Sequence, residues 1–257
     1  MTTIIGPLPN IISDGQVADA VPVMNDFNWI VNQVNANGAP NNVNFPLPAS
    51  GSLINVQTIA STGLYTPTTG TNSVIMWLVG GGGAGGGCPA TNASQNAIST
   101  GGGAGGLVVV RLLSGFTGGT VTIGAGGTGV VGAQGNAGGA TTFAGYSAGG
   151  GGGGGISLAT TTSASVRGSF GGSVAGSGQL FSSTGNPSEP SFIIVSPTSA
   201  DLVGNGGAGP FGGAGQSPSG SGAGPGSGGS GTVLGASQAA IAGPPGAAGI
   251  CIIYEFA

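Results

Sequence analysis

Only eight side chains in the 257 residues carry a full charge: Arg111 and Arg167 against Asp14, Asp19, Asp26, Glu189, Asp201 and Glu255. There is no His and no Lys. Nucleophilic catalysis of the Ser–His–Asp or Cys–His kind needs an imidazole to take the proton, so it is excluded. A Walker loop needs a Lys at the phosphates and is excluded too. Two cysteines without His do not make a zinc site. Gly124-Ala-Gly-Gly-Thr-Gly129 fits the GxGxxG fingerprint. A dinucleotide fold needs a helix to follow, and Val130-Val-Gly-Ala-Gln-Gly-Asn136 does not read as one. Among 61 glycines such a match is expected by chance. A carboxylate pair for glycoside cleavage would come from Glu189, Asp201 and Glu255. Glu189 and Asp201 share one segment and read as solvated side chains. The expectation is a protein with no enzymatic activity, no cofactor and no metal.

Charge and apolar runs narrow the partners. Two cations in a net charge of −4 give no basic surface, so nucleic acid is not an expected partner. The apolar runs, such as Val74-Ile-Met-Trp-Leu-Val79, fall far short of the roughly 20 residues that span a bilayer, and no membrane insertion is expected. Met1-Thr-Thr-Ile-Ile-Gly-Pro7 lacks the basic and apolar parts of a signal peptide. Asn92-Ala-Ser94 matches a glycosylation acceptor, which means little without such a signal. Cys88 and Cys251 are expected to be free, buried thiols.

The elements that position these residues fall into two expected domains, 1–50 and 51–257. Residues 1–18 read as a Pro-punctuated arm. Asp19-Ala-Val-Pro22 supplies helix-start chemistry. Val23, Phe27, Ile30 and Val34, spaced 4, 3 and 4, form an apolar seam opposite a face of Asn and Gln. Asn37-Gly38 ends the helix. The seam packs either on its own domain or on copies of itself. Residues 39–50 form a Pro-rich linker.

Strands are expected at 52–59, 64–67, 73–79, 107–113, 120–123, 192–195 and 250–254. The last is expected to pair near 73–79. Between them glycines recur every third residue, at Gly126, Gly129, Gly132, Gly135 and Gly138. They do so again at Gly206, Gly209, Gly212 and Gly215, and at Gly243, Gly246 and Gly249. A period of three is that of the polyproline-II turn, which rises about 3.1 Å per residue. A face bearing only hydrogens lets such helices approach closely, and the all-glycine run 149–155 suits the middle of a stack. The fold expected is mostly β and irregular: an N-terminal short helix, then stacked polyglycine-II helices flanked by short antiparallel β-strands. The richer segments 88–100, 156–170, 179–203 and 232–241 are read as loops at the ends of the stack, where a rigid scaffold displays recognition residues.

Glycine blocks alternating with Ser/Thr/Asn-rich segments resemble the distal tail-fibre adhesins of tailed bacteriophages. The wider likeness, to glycine-rich phage tail proteins, rests on three stretches. These are Gly63-Leu-Tyr-Thr-Pro-Thr-Thr-Gly70, Val74-Ile-Met-Trp-Leu-Val-Gly-Gly-Gly-Gly83 and Gly249-Ile-Cys-Ile-Ile-Tyr-Glu255. It covers roughly residues 60–257. Residues 1–50 do not resemble the aromatic-rich attachment domain of the T-even adhesins. The helix points instead to a protein that anchors itself, as a homotrimer through Val23, Phe27, Ile30 and Val34, on a tail or capsid vertex with other virion proteins.

The resemblance implies a virion protein made in the host cytoplasm whose loops bind a host glycan or outer-membrane protein. Asn92, Gln95, Asn96, Arg167, Phe170, Phe181, Asn186, Glu189 and Phe192 are the expected receptor contacts. Phe211 joins Phe170, Phe181 and Phe192 as an aromatic suited to sugars. The alternative is a decoration or connector protein with a purely structural role. A surface binder of the antifreeze type would need a flat, regular Ser/Thr/Ala face, against which the mixed insert lengths argue.

Overall fold

Val, Ile and Leu fill the runs that become the longest strands, because branched side chains suit a pleated, half-buried surface. The computed structural model describes residues 25, 27–32, 51–113, 116–194 and 200–257. The chain divides into two units, Met1–Ala49 and Ser50–Ala257. In the first, Asn25 and residues 27–32 are helical; Trp29 and Ile30 are half-buried, and Phe27 is 60% exposed. The expected seam positions Val23 and Val34, the arm and the linker lie outside the described residues.

Among its described residues the second unit holds fifteen short strands: β1 (Leu53–Ile59), β2 (Gly63–Tyr65), β3 (Ser73–Val79), β4 (Ala97–Ile98), β5 (Leu107–Leu112), β6 (Gly119–Val121), β7 (Thr141–Phe143), β8 (Tyr146–Ala148), β9 (Ala164–Val166), β10 (Val174–Ala175), β11 (Phe181–Ser183), β12 (Ser191–Ile194), β13 (Ala200–Leu202), β14 (Val233–Leu234) and β15 (Ile250–Phe256). The main sheet is antiparallel, in the order β1-β15-β3-β5-β11. The closing strand pairs with 73–79 as expected, Ile250 opposite Val79 and Phe256 opposite Ser73.

One face of this sheet sends Val74, Met76, Leu78, Val108, Val110, Cys251 and Ile253 into a dry cluster. Tyr65, Val121, Phe143 and Ala148, from β2, β6, β7 and β8, complete it. Tyr65 meets Phe143 edge to face, centroids 5.5 Å apart. Each fully buried side chain of this size contributes about 1.5–3 kcal/mol. On the other face Trp77 is half-buried and its ring lies 5.9 Å from that of Phe211. Both cysteines are free and buried. Burial raises both thiol pKa values, that of Cys251 to about 12, so neither is a ready thiolate.

Beyond the sheet the three central strands continue into glycine: β3 into 80–87, and 100–106 and 241–249 into β5 and β15. The hydrogen bonds there repeat every third residue. N–H groups of Gly81, Ala84 and Gly87 donate to the carbonyls of Gly139, Asn136 and Ala133, at 2.9–3.0 Å. Those of Gly82, Gly85 and Cys88 donate to Ala247, Pro244 and Ile241, and those of Gly80, Gly83 and Gly86 to Gly106, Gly103 and Thr100, all at 2.9–3.1 Å. The carbonyls turn to other neighbours. Gly81 and Ala84 accept from Gly151 and Gly154, Gly82 from Gly127, and Gly83 from Gly229. One segment is thus bonded to six others, and all of 80–87 is buried. Close approach demands glycine here: a Cβ on Gly83 would overlap the Gly152 carbonyl, and one on Gly82 that of Ser227. The innermost segment is therefore 80–87. The run 149–155, expected in the middle, is only partly buried.

Hydroxyls close both ends of this core. Near the main sheet Thr141 Oγ1 donates to the Val79 carbonyl at 2.6 Å and accepts from Gly124 N–H at 3.0 Å. At the far end Ser99 Oγ and Thr232 Oγ1 both donate to the Gly86 carbonyl, at 2.6 and 3.0 Å. All three are buried, so backbone groups that end the glycine pattern do not go unpaired.

Candidate functional site

The far end of the glycine segments, opposite the main sheet, carries the exposed side chains of Leu158, Phe192, Ile194 and Leu202. Two small antiparallel sheets stand there, in the orders β13-β12-β9 and β14-β4. Ile98, Ile193 and Val203 pack beneath them with Val166 and Val233. Ser191 Oγ donates to the Ser99 carbonyl at 2.8 Å and accepts from Gly204 N–H at 2.7 Å, fixing the β12–β13 hairpin to the glycine core. With Ile193 turned in, alternation turns Phe192 and Ile194 outward. Phe192 lies opposite Leu202 of β13.

A cleft of about 590 Å³ opens beside this hairpin. Glu189, Pro190, Phe192, Asp201, Leu202, Asn205, Ser217 and Pro218 line it with Val203 and Val233. Its polar wall is built by cross-bonding. Glu189 Oε2 accepts from Asn205 Nδ2 at 3.0 Å and from Asn205 N–H at 3.3 Å. Asn205 Oδ1 accepts from Ser217 N–H at 2.8 Å. Glu189 and Asp201, weighed from sequence as a carboxylate pair, thus share one cleft. Among the described residues no three His, Cys, Asp or Glu side chains group to hold a metal ion.

The expected contacts separate. Asn92, Gln95 and Asn96 lie at this far end in a loop tied to its neighbours. Asn92 Oδ1 accepts from Ser94 N–H and Oγ at 3.1 and 3.2 Å, and Gln95 Oε1 accepts from Asn92 N–H at 3.2 Å. The Asn92 carbonyl accepts from Ser237 N–H, and the backbone of Asn96 pairs with Thr160. These amides mostly hold the loop. Arg167, exposed, follows β9 directly, and Glu189 and Phe192 line the cleft.

Phe170, Phe181 and Asn186 are not in loops at this end. Phe181 lies on β11 opposite Val109, in the main sheet at the other end. Phe170 is 86% exposed in an extended glycine-flanked segment, its carbonyl accepting from Gly152 partway along the core. Asn186 sits beside that segment, bonded through its carbonyl to Ala104 and through Nδ2 to the Ala208 carbonyl. Phe181 and Asn186 line a separate groove of about 210 Å³. The segments 156–170 and 179–203, expected as two end loops, also run along the core: 167–173 runs towards the main sheet and 184–190 runs back beside it. Phe211 also belongs to the main-sheet end, against Trp77.

Asn205, Leu202, Ser217 and Pro218 escaped the sequence reading. The only local signal was Asn205 interrupting glycines on both sides. Glu255, the third carboxylate weighed for catalysis, is structural. It is fully buried and accepts from Tyr65 Oη at 2.7 Å, Thr68 Oγ1 at 2.6 Å, Thr68 N–H at 3.1 Å and Gln57 Nε2 at 3.0 Å. Burial pushes its pKa up, but the bonds from Thr68, Tyr65 and Gln57 outweigh that and hold it below the ordinary value. Burial, then the Glu255 carboxylate, raises the Tyr65 phenol well above its usual range.

A scan against protein-family models finds no match, and a search of curated proteins finds no similar sequence. Among the described residues no helix is long and apolar enough to cross a membrane.

Proposed function

We propose that 80–249 is a polyglycine-II lattice and that the chain is a structural virion protein of a tailed bacteriophage, of the tail-fibre or adhesin type. Its far-end loops bind a host surface glycan or outer-membrane protein. The observation that carries this reading is the three-residue repeat of hydrogen bonds joining 80–87 to six neighbours. Three residues per turn is the polyproline-II period, and a core bonded on all sides is a stiff mount for loops. The aromatic and polar cleft sits at the end of that mount. Non-enzymatic binding fits a chain without His or Lys. A homotrimer through the N-terminal helix is supported by Phe27, whose ring is left largely exposed in the single chain; a monomeric mass of the full chain in solution rules it out.

The test is adsorption. Exchanging residues 88–98, 156–166, 190–203 and 232–241 together is expected to abolish adsorption while particles still assemble. Unchanged adsorption sinks the adhesin reading. The internal bonding of Asn92 and Gln95 favours the second reading, a decoration or connector protein. That reading expects fragile particles and an unchanged host range on deletion.

A further inference from the structure

We infer that the cleft between Glu189 and Asp201 is a binding site for a neutral saccharide, and that it rejects acidic ones. This rests on the binding role proposed above for the far-end loops and assigns its chemical class.

The volume, about 590 Å³, falls within the roughly 300–1,000 Å³ typical of small-ligand sites. The lining combines two kinds of surface. Phe192 and Leu202, cross-strand neighbours on the outward face of the hairpin, border the cleft at its rim, and Pro190, Val203, Pro218 and Val233 complete its apolar lining. Glu189, Asp201 and Asn205 give polar groups along the wall. A sugar ring has the same duality, with C–H groups on its face and hydroxyls on its rim. Carboxylates accept two hydroxyl hydrogens each, and charge-assisted bonds are the stronger kind. Glu189 Oε2 accepts from both the backbone N–H and Nδ2 of Asn205, which orients the carboxylate. Ser191 ties β12 to the glycine core and to Gly204, which reduces the ordering needed on binding. No Arg or Lys lines the cleft. A uronate, sialate or phosphate would meet two carboxylates and no cation, and like charges at this range are repelled.

The experiment titrates the full chain, by saturation-transfer NMR, with neutral gluco-, galacto- and manno-oligosaccharides and with sialylated and uronic-acid oligosaccharides. Saturable binding of at least one neutral series is expected, with none for the acidic ones. Asp201→Asn and Phe192→Ala are each expected to weaken it by about tenfold or more, the loss of one charge-assisted bond or of apolar contact at the rim. Asp201 is exposed, so Asp201→Asn keeps the fold if the Phe192 variant does not. No neutral binding, equal binding of acidic sugars, or binding that Asp201→Asn leaves untouched overturns the inference. Adsorption of particles carrying Asp201→Asn separates the two claims. Failed sugar binding with adsorption still dependent on the far-end loops leaves the adhesin reading standing without this site. Sugar binding in a protein whose loops do not affect adsorption does the reverse.

Discussion

Two cores lie end to end within residues 50–257, and they satisfy the same backbone by opposite means. Under the main sheet, hydrogen bonds run to two neighbours with a side-chain period of two. Specificity comes from what the side chains fill: Met76, Leu78, Val108, Val110 and Ile253 set the register because a slip by one residue would turn them out. In the glycine core, bonds run to six neighbours with a period of three, and specificity comes from what is missing. Gly82 and Gly83 admit neighbours where a Cβ would stand. The first core is stabilised by apolar burial. The second depends on hydrogen bonds worth only about 0.5–1.5 kcal/mol each, net, while ordering the residue with the most backbone freedom to lose. A dry sheet at one end and hydroxyl closures at both, Thr141 and the Ser99–Thr232 pair, keep that marginal lattice from fraying.

Breaking each core at its centre separates the two mechanisms most sharply. Adding one methyl by Gly83→Ala drives a Cβ into the Gly152 carbonyl, which is backbone and has no rotamer to escape to. The expected loss exceeds about 4–5 kcal/mol, in the exceptional range for one substitution, and is read as failure to give a cooperative thermal transition. Removing several atoms by Met76→Ala leaves a cavity under the sheet and is expected to cost about 2–5 kcal/mol. If Gly83→Ala proves the milder of the two, the glycine core is looser than its hydrogen bonds imply.

A smaller effect probes how the base of the sheet is closed. Glu255 is bound by Tyr65, Thr68 and Gln57, and its folded pKa lies below the unfolded value of roughly 4.3. It therefore contributes stability above that unfolded value and loses it as pH falls through the folded pKa. Glu255→Gln is expected to cost about 1–3 kcal/mol at pH 7, since the donors lose their charged acceptor. Denaturant unfolding at a series of pH values checks it. The gap between the two proteins should narrow as pH drops below about 4, and a gap constant down to pH 2.5 contradicts the assignment.

Local patterns of residues showed through in the sequence, and encounters between distant residues did not. The branched runs expected at 73–79, 107–113 and 250–254 and the pairing of the first with the last follow from period and position. The clasp on Glu255 joins residues 190 positions apart in the case of Tyr65, and no spacing rule links them. Phe170 and Phe181 looked like loop aromatics because Ser and Thr surround them. A Ser/Thr-rich run does not say which end of the core it visits, and this one crosses to the main sheet. Glycine spacing likewise does not say how many neighbours a segment has. The run 149–155 is richer in glycine than 80–87, which contains Ala84, yet it is the less buried. Ala84 itself is fully buried, so even in the centre a methyl is admitted where the adjoining backbone leaves room.

The smallest expected effect is therefore the most discriminating. Gly213 belongs to the same tract and the same composition as Gly83, but it is exposed, and a Cβ there would meet nothing within 4 Å. Its φ is not in the left-handed region that strains an L side chain. Gly213→Ala should be neutral or stabilising by about 0.4–1 kcal/mol, because alanine narrows the unfolded ensemble without disturbing the folded one. Next to it, a Cβ on Gly212 would press into the backbone of Gly224, so Gly212→Ala should be clearly destabilising. Thermal unfolding of the two variants side by side decides what glycine is for. Opposite outcomes one residue apart assign its role to close approach between segments. Equal losses at both positions would mean that the backbone conformation itself demands glycine throughout, and the contrast between the cores would then lie in φ and ψ rather than in packing.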